Sequence, residues 1–434
     1  MDQTRAEIPP SKLVSALRGY NLLPAIVFLP TRRRCDEAAS EVALDKSQKT
    51  DPERLAERQR IFDEFAVDFP EVLDHKHAKV IVRAGVAAHH AGHIPSWKLL
   101  IERMMSAGLL NALFATSTVA AGVDFPARTV VITNADTRGN DGWRSLTASE
   151  LQQMTGRAGR RGRDNVGFVV LAPGQFQNPK KIAELLKAPP DALESRFRAT
   201  YTSLLNLLDA FGNFDQVREI AERSYAFRES RRSSADSRHA EGSERLSDSI
   251  WLPFDNRARV LAHFEYLDYE AESVTESGKW LADLRIDRPL LVGEALKHGV
   301  FNELKISEAA GLMASVASDA DRSYGEMRAT RKMTDILADF ENIVVAVSNV
   351  EWKNGVEPVE EINYSAAAAA ERWTAGMPWD ELVDRTKAEE GDLVRLLSRT
   401  GEALRQLSNL RDSNPTAAAI ANTAAEAILR EPVR

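Results

Sequence analysis

The chain reads as an α/β lobe built on a parallel sheet, followed by a mostly helical half. Three observations lead there. Strands alternate with helices from residue 24 to residue 172, the order that makes a parallel sheet covered by helices on both faces. A polar stretch, 228–249, then holds a single leucine and no aromatic residue, so it cannot bury enough apolar surface to offset its chain entropy and reads as a linker or exposed loop. From 285 to 434 the pattern is helical nearly throughout.

Taken in order, PAIVFL (24–29) is the first strand and TRRRCDEAASEVAL the helix after it. VAAHH (86–90) is a short strand, followed by the helix PSWKLLIERMMSAG (95–108). Pro95 suits the first turn of that helix and Gly108 its stop. NALFAT (111–116) and TVVITN (129–134) are two further strands. LTASELQQMTG has apolar residues at helical spacing, with Thr147 or Ser149 as cap. VGFVVLA (166–172) is apolar and rich in branched residues, the signature of a buried, central strand. Beyond it, 178–227 is helical, RARVLAHFEYLDY and VTESGKWLADL suggest a helix followed by a wing, and SAAAAAERW (365–373) is made of strong helix formers. Asp392 is placed to cap the helix LVRLLSRTGEALRQL. Leu393, Leu397, Leu404 and Leu407 share one face of it, and Arg395, Arg399, Glu402 and Gln406 the other.

The segment with most chemistry is QQMTGRAGRRGR, 152–163. It sets Arg157, Arg160, Arg161 and Arg163 among Gly156, Gly159 and Gly162. Guanidinium forks fit phosphate oxygens, and glycines let a phosphate chain approach the backbone. Crowded arginines repel unless an anion sits among them, although a solvated basic turn is the plain alternative. Thr116 and Thr118 follow one strand and Arg32 and Arg33 another; they suit phosphate oxygens, or, for the threonines, helix capping. On the 390s helix, periodicity alone reads Arg395 and Arg399 as part of a solvated face with an Arg–Glu pair three residues apart.

His89, His90 and His93 invite a metal reading. His89 and His93 are four apart, but no Glu follows the first, and Gly92 and Pro95 break a helix there, so no metal is expected. His89 reads as a buried, hydrogen-bonded side chain. Asp36-Glu37-Ala38-Ala39 imitates a magnesium-holding box but lies inside a helix rather than at a strand end. No GxxxxGK[ST] occurs; the only GK pair is Gly278-Lys279, without the upstream glycine.

The ordered segments resemble a known family. AIVFLPTRRRCDEAA is similar to motif IV, GVAAHHAGHIPSWKLLIERMMSAG to the HHxGxxP segment, LLNALFATSTVAAGVDFPARTVVI to motif V and QQMTGRAGRRGRDNVGFVVL to motif VI of superfamily-2 DExH-box RNA helicases of the superkiller and exosome-associated type. LESRFRATYTSLLNLL and ERSYAFRES resemble that family's winged-helix region, and 368–407 its C-terminal DSHCT domain. The resemblance implies a RecA-like second lobe over 1–177, a winged-helix region over 178–285 split by the linker, and a DSHCT-like bundle over 286–434. It implies an ATP-dependent 3′-to-5′ RNA helicase portion, with Arg157 and Arg160 as arginine fingers and Gln153 ordering nucleotide. Gly122 and Asp124 join them at ATP. Magnesium would be held by a first lobe, carried by other residues or by a separate chain, that also supplies the phosphate loop. RNA contacts are implied at Arg32, Arg33, His90, Thr116, Thr118, Arg395 and Arg399. Trp373 and Trp379 are expected in the core. The partners implied are single-stranded or partly duplex RNA, the first lobe, and an RNA-degradation complex. No room is seen for the arch domain some relatives insert. The other reading is a non-enzymatic RNA-binding module that kept the fold; a DNA helicase is a third.

Composition fits. The 434 residues are enough for about two to four domains, and 44% apolar with 28% charged residues is ordinary for a globular protein. A lone cysteine, Cys35, cannot form an internal disulfide, which points to a reducing compartment, and the cytoplasm is expected. The first residues are charged and without an apolar core, so no signal peptide is expected, and no apolar run is long enough for a membrane span. A net charge of −8 leaves nucleic-acid binding to local basic surface, expected in the cleft and channel.

Overall fold

The computed structural model describes residues 7–45, 51–117, 125, 127–139, 142–174, 176–192, 195, 198–224, 241–318, 322–325, 327–358 and 361–434, with backbone alone for 241–249. Two compact units emerge: residues 1–192 with 390–392, and 193–389 with 393–434.

In the first unit, α1 (Pro10–Gly19), β1 (Ala25–Phe28), α2 (Arg32–Leu44), α3 (Pro52–Asp68), α4 (Ala78–Ala84), β2 (Val86–His89), α5 (Pro95–Ser106), β3 (Ala112–Ala115) and β4 (Thr129–Ile132) follow one another. A hairpin of β5 (Asp136–Gly139) and β6 (Gly142–Ser145) leads to α6 (Ala148–Thr155), β7 (Phe168–Leu171) and α7 (Pro179–Lys187). The five-stranded sheet has the order β2-β3-β1-β4-β7, all parallel. Ala25 stands opposite both Ala112 and Thr129, so the strands begin and end together and the sheet has two clean edges.

Alternation sorts the side chains. Ala25, Val27, Val86, Ala88, Phe114 and Val131 pack with Leu13, Val14 and Leu17 of α1 and Cys35, Ala38, Ala39 and Val42 of α2. Ile26, Phe28, Leu113, Val130 and Ile132 are buried on the opposite face. Each such side chain contributes about 1.5–3 kcal/mol on leaving water. Burial pushes the Cys35 thiol well above its usual range, which suits a packing role.

Local signals set the helix ends. Thr31 caps α2 by accepting the Arg34 N–H at 3.3 Å. Thr147 and Glu150 form a reciprocal capping box at α6. Pro95 opens α5, and Gly108 closes the turn after it at φ +74°. The α4 helix ends on a buried arginine: Arg58 of α3 donates to Val82 O at 2.6 Å and to Arg83 O and Leu109 O at 3.3 Å. The Val82 and Arg83 carbonyls are ones the end of α4 would otherwise leave unpaired.

One strand departs from expectation. β7 is an edge strand rather than a central one, with Phe168 and Val169 36% and 40% exposed. An apolar run of four branched or aromatic residues suits either position, because backbone pairing on one side suffices to place it.

The second unit holds α8 (Tyr201–Phe211), α9 (Phe214–Arg223), α10 (Glu241–His263), a hairpin of β8 (Leu267–Asp268) and β9 (Ser273–Val274), and α11 (Glu276–Asp283). Then come α12 (Pro289–Lys297), α13 (Ile306–Ala317), α14 (Arg331–Lys353), α15 (Tyr364–Thr374), α16 (Trp379–Thr386), α17 (Glu390–Ser408) and α18 (Pro415–Ile428). Of the polar stretch 228–249, residues 241–249 form the first turns of α10 instead of a loop; the rest lies outside the described residues. Ala366 to Ala370 on α15 are 0% exposed, and Gly311 of α13 lies so close that a Cβ there would sit 3.1 Å from Ala367 O. Small residues are what allow the two helices this approach. The Gly278-Lys279 pair has a packing reason too: a Cβ on Gly278 would meet Tyr266 O at 2.0 Å.

Among the described residues, no helix is long and apolar enough to cross a membrane.

Candidate functional site

The arginine segment lies at the amino edge of the sheet. Ala127, just before β4, donates to Arg157 O at 3.3 Å and accepts from Gly159 N at 2.7 Å. Gly159 has φ +90°, a conformation glycine adopts without strain. The chain then returns so closely that a Cβ on Gly167 would sit 2.4 Å from Ala158 O. Two of the glycines around the arginines are therefore required by the fold of the turn itself, independent of any ligand.

The turn walls a cleft of about 360 Å³ lined by Pro24, Met105, Gly108, Phe125 and the glycines, with Arg157, Arg160, Arg161 and Arg163. Among the described lining residues there is no carboxylate, which fits an anion. Arg161 and Arg163 are exposed and Arg157 is half-buried; Gln153 is exposed on α6. Arg160 is held in place by one carboxylate. Its Nε and Nη2 donate to Asp164 at 2.7 and 2.9 Å, and its backbone N–H donates to the same carboxylate at 3.1 Å. Asp164 is 4% exposed, and the Arg160 guanidinium pulls its carboxyl down to about 2. Arg128 stands 4.0 Å from Asp164 on another side. Asp164 and Arg128 were not among the residues expected from sequence. The four-residue spacing of Arg160 and Asp164 was visible, but it normally signals a helix, and this segment is a turn.

The other expected residues gather at the carboxyl edge. Thr116 follows β3 and is half-buried. Arg33 opens α2 beside Arg32, is 87% exposed, and pairs with Glu37 at 2.6 Å. Arg32 pairs with Asp392 through both guanidinium nitrogens, at 2.7 and 3.3 Å. Asp392 therefore does not cap α17: that helix begins at Glu390, its N-cap is Glu389, and no side chain caps it. A side chain already inside the first turn is poorly aimed at the free N–H groups, and the fork of Arg32 takes it. Thr118, Gly122 and Asp124 lie outside the described residues.

The histidines differ from expectation. His90 is 1% exposed, and both ring nitrogens are engaged, Nε2 with Asp36 at 3.1 Å and Nδ1 with the Gly92 N–H at 3.1 Å. The ring, expected at the RNA edge, turns both nitrogens inward. His89 is buried but has no hydrogen-bond partner at either nitrogen; it packs edge-on to Phe125 with centroids 5.1 Å apart. Burial pushes it down to about 3. Asp36 instead collects the neighbouring rings: burial alone would raise its carboxyl, but bonds from His77, His90, His93 and Lys76 hold it far below the usual carboxylate range.

In the second unit, Leu393, Leu397, Leu404 and Leu407 of α17 are all 0% exposed, as their spacing requires. Arg395 is exposed. Arg399 pairs with Asp287 at 2.6 Å, and Glu402 accepts from Gln406 at 3.0 Å. Arg285, Asp287, Arg288, Arg399 and Glu402 line a hollow of about 150 Å³. Trp373 is core: 1% exposed, its Nε1 donates to Ile428 O at 2.8 Å, and Trp379 packs against it at 5.4 Å.

A five-stranded parallel sheet flanked by helices, with a guanidinium-lined cleft at one edge and hydroxyl and basic residues at the other, is the architecture of a RecA-like lobe. Comparison with known proteins places it further. Residues 12–162 match the helicase conserved C-terminal domain and residues 271–434 the DSHCT (NUC185) domain. The chain belongs to the superkiller-type superfamily-2 RNA helicases, of which it corresponds to a C-terminal part. It is 38% identical over 205 residues, 47% of its length, to the DExH-box ATP-dependent RNA helicase DExH15 of Arabidopsis thaliana chloroplasts. It is 38% identical over 233 residues, 51% of its length, to superkiller complex protein 2 of Mus musculus. To the probable helicase HelY of Mycobacterium tuberculosis it is 33% identical over 224 residues, 50% of its length. The matched part is 17%, 18% and 25% of those three relatives.

Proposed function

We propose that these residues form the C-terminal portion of an ATP-dependent 3′-to-5′ RNA helicase, with a first lobe supplied from outside them. In this reading ATP lies between the lobes. Arg157 and Arg160 reach its γ-phosphate and stabilise the charge that develops as the phosphoryl group leaves. Gln153, Gly122 and Asp124 complete the near wall. Magnesium and the phosphate loop belong to the first lobe, so these residues alone turn over no ATP. Single-stranded or partly duplex RNA crosses the carboxyl edge at Arg32, Arg33, Thr116 and Thr118, and the second unit meets it at Arg395 and Arg399. A place in an RNA-degradation complex, in the cytoplasm, follows from the same reading.

The observation that carries it is the cleft: four arginines on one turn, no carboxylate among its described lining residues, and no phosphate loop in the sequence. With the first lobe restored, Arg160→Ala abolishes hydrolysis while RNA binding persists. Turnover surviving in Arg160→Ala would overturn the finger assignment, as would ATP turnover by these residues alone. The tight Arg160–Asp164 pair favours one variant of this scheme, in which Arg160 is parked until phosphate displaces the carboxylate. Asp164→Asn then keeps or raises turnover; a collapse equal to that of Arg160→Ala would make the pair a structural brace.

A further inference from the structure

Four side chains from separate stretches of the first unit meet at one carboxylate oxygen. Asp36 comes from α2, His77 from the turn before α4, His90 from just past β2, and His93 from the loop before α5. The Nε2 atoms of His77, His90 and His93 lie 2.8, 3.1 and 3.2 Å from Asp36 Oδ1. The three imidazoles are 3%, 1% and 2% exposed. Lys76 holds the other oxygen, Oδ2, at 2.7 Å.

Hydrogen bonding alone satisfies this arrangement badly. An oxygen with two lone pairs faces three ring nitrogens. If each neutral ring donates from Nε2, its Nδ1 becomes an acceptor that needs a donor. His90 has one in the Gly92 N–H, but the Nδ1 atoms of His77 and His93 are buried without any partner. If those rings carry the proton on Nδ1 instead, two Nε2 lone pairs point at a carboxylate. Lone pairs from several imidazoles and one carboxylate oxygen are brought together without penalty by a cation placed among them.

We propose that Asp36, His77, His90 and His93 form a structural zinc(II) site. Borderline-soft imidazole nitrogens with one carboxylate are a common zinc donor set. Neighbouring donors of a tetrahedral zinc stand about 3.3–3.5 Å apart, given metal–ligand distances of about 2.0–2.2 Å. The contacts on Oδ1 are a few tenths of an ångström shorter, and the donor atoms of Asp36, His90 and His93 already lie within 4.8 Å of one another; His77, at 2.8 Å from Oδ1 but outside that group, must swing its ring toward the other two to complete the tetrahedron. Lys76 on Oδ2 leaves Asp36 a single free oxygen, the outer bond that orients a ligating carboxylate. Four protein ligands, three of them buried rings, leave no open position for water, so the ion staples rather than catalyses. It fixes the α3–α4 segment to the carboxyl edge of the sheet through His77. Ligation of His90 through Nε2 requires its proton on Nδ1, and the Gly92 N–H must then turn away. His75, stacked on Trp97 at 3.7 Å, and His89, packed on Phe125, stay outside the donor set.

The test uses the full 434-residue chain without a polyhistidine tag, stripped with EDTA and titrated with zinc chloride. One zinc binds per chain, and at about 100 times its Kd it raises the first unfolding transition by roughly 5–10 °C. Cobalt(II) in its place gives the strong visible bands of a tetrahedral ion. His93→Ala and His77→Ala each lose the bound zinc and the shift, while His75→Ala and His89→Ala keep one zinc. Circular dichroism of each stripped variant checks the fold. Should His93→Ala misfold, the cobalt spectrum of His77→Ala decides, by losing the tetrahedral bands or keeping them. A stripped, folded chain that takes up no zinc overturns the proposal, as does full stoichiometry in both His77→Ala and His93→Ala.

Discussion

The two edges of the sheet use polar side chains in opposite ways. At the amino edge, arginines stand around an open cleft, and Arg160 is held by Asp164. At the carboxyl edge, the polar groups nearest the strands are turned inward, with His90 and His93 1% exposed and gathered on Asp36. Exposed charge is inexpensive to keep in water and available to a ligand. Buried polar groups must be satisfied at once by partners, so they fix structure. The contrast teaches that basic or imidazole character alone does not mark a contact surface; burial decides which side chains remain free to bind.

The largest test of that contrast is at the amino edge. With a first lobe supplied, Arg157→Ala should lower the rate of ATP hydrolysis by about 10³-fold or more, the range known for arginine fingers, with the thermal midpoint unchanged. Single-turnover hydrolysis beside a melting curve separates the two. A large fall in the midpoint would make Arg157 structural and erase the difference between the edges. Next in size is the backbone beneath the arginines. Gly167→Ala forces a Cβ against Ala158 O, which stands 2.4 Å away. The first unit should lose about 1–3 kcal/mol, measured by urea unfolding. A neutral result would mean that the turn is free to move.

Much of this is legible in the sequence. PAIVFL, NALFAT and TVVITN are short branched runs between helical stretches, and they became β1, β3 and β4 because burial on both faces demands that composition. Thr147 with Glu150 and Pro95 with Gly108 set helix ends by local chemistry, which spacing reveals. The edge position of β7 was not legible, since the same residues serve a central strand. Nor was α3: its buried face includes Arg58, which interrupts the apolar stripe of Ile61, Phe62 and Phe65. The Asp36 cluster joins residues 36, 77, 90 and 93, and no spacing rule connects them. Helical spacing instead singled out His89 with His93, whereas the fold turns His89 to Phe125 and His90 to Asp36. The resemblance to a helicase lobe located the arginines; it did not reveal that Asp164 holds one of them.

A smaller effect comes from that aspartate. Asp164 titrates at about 2 in the folded chain, below its ordinary value. A depressed carboxylate contributes stability above its unfolded pKa of about 3.9 and loses it as pH falls through the folded value. The melting difference between the native chain and Asp164→Asn should thus be constant from pH 7 to about 5 and shrink between pH 4 and 2. A difference that stays level down to pH 2 would show that the Arg160 pair adds no charge-dependent stability.

The smallest expected effect is at Arg33. Its guanidinium is 87% exposed and its ion pair with Glu37 is solvated, so the pair itself adds next to nothing to folding. Arg33→Ala should leave the melting curve where it was. If RNA crosses the carboxyl edge, the same change should weaken single-stranded RNA binding and lower the slope of log affinity against log salt by about 0.7, the value for one phosphate contact on a single strand. Binding measured at several salt concentrations, by fluorescence anisotropy with a uniform-sequence oligonucleotide, reads both quantities. Affinity that drops by the same factor at every salt concentration would point to altered shape rather than a lost phosphate contact. An unchanged slope with unchanged affinity would leave Arg33 among the solvated charges, and the carboxyl edge would then have to bind through its hydroxyl groups and backbone N–H groups instead.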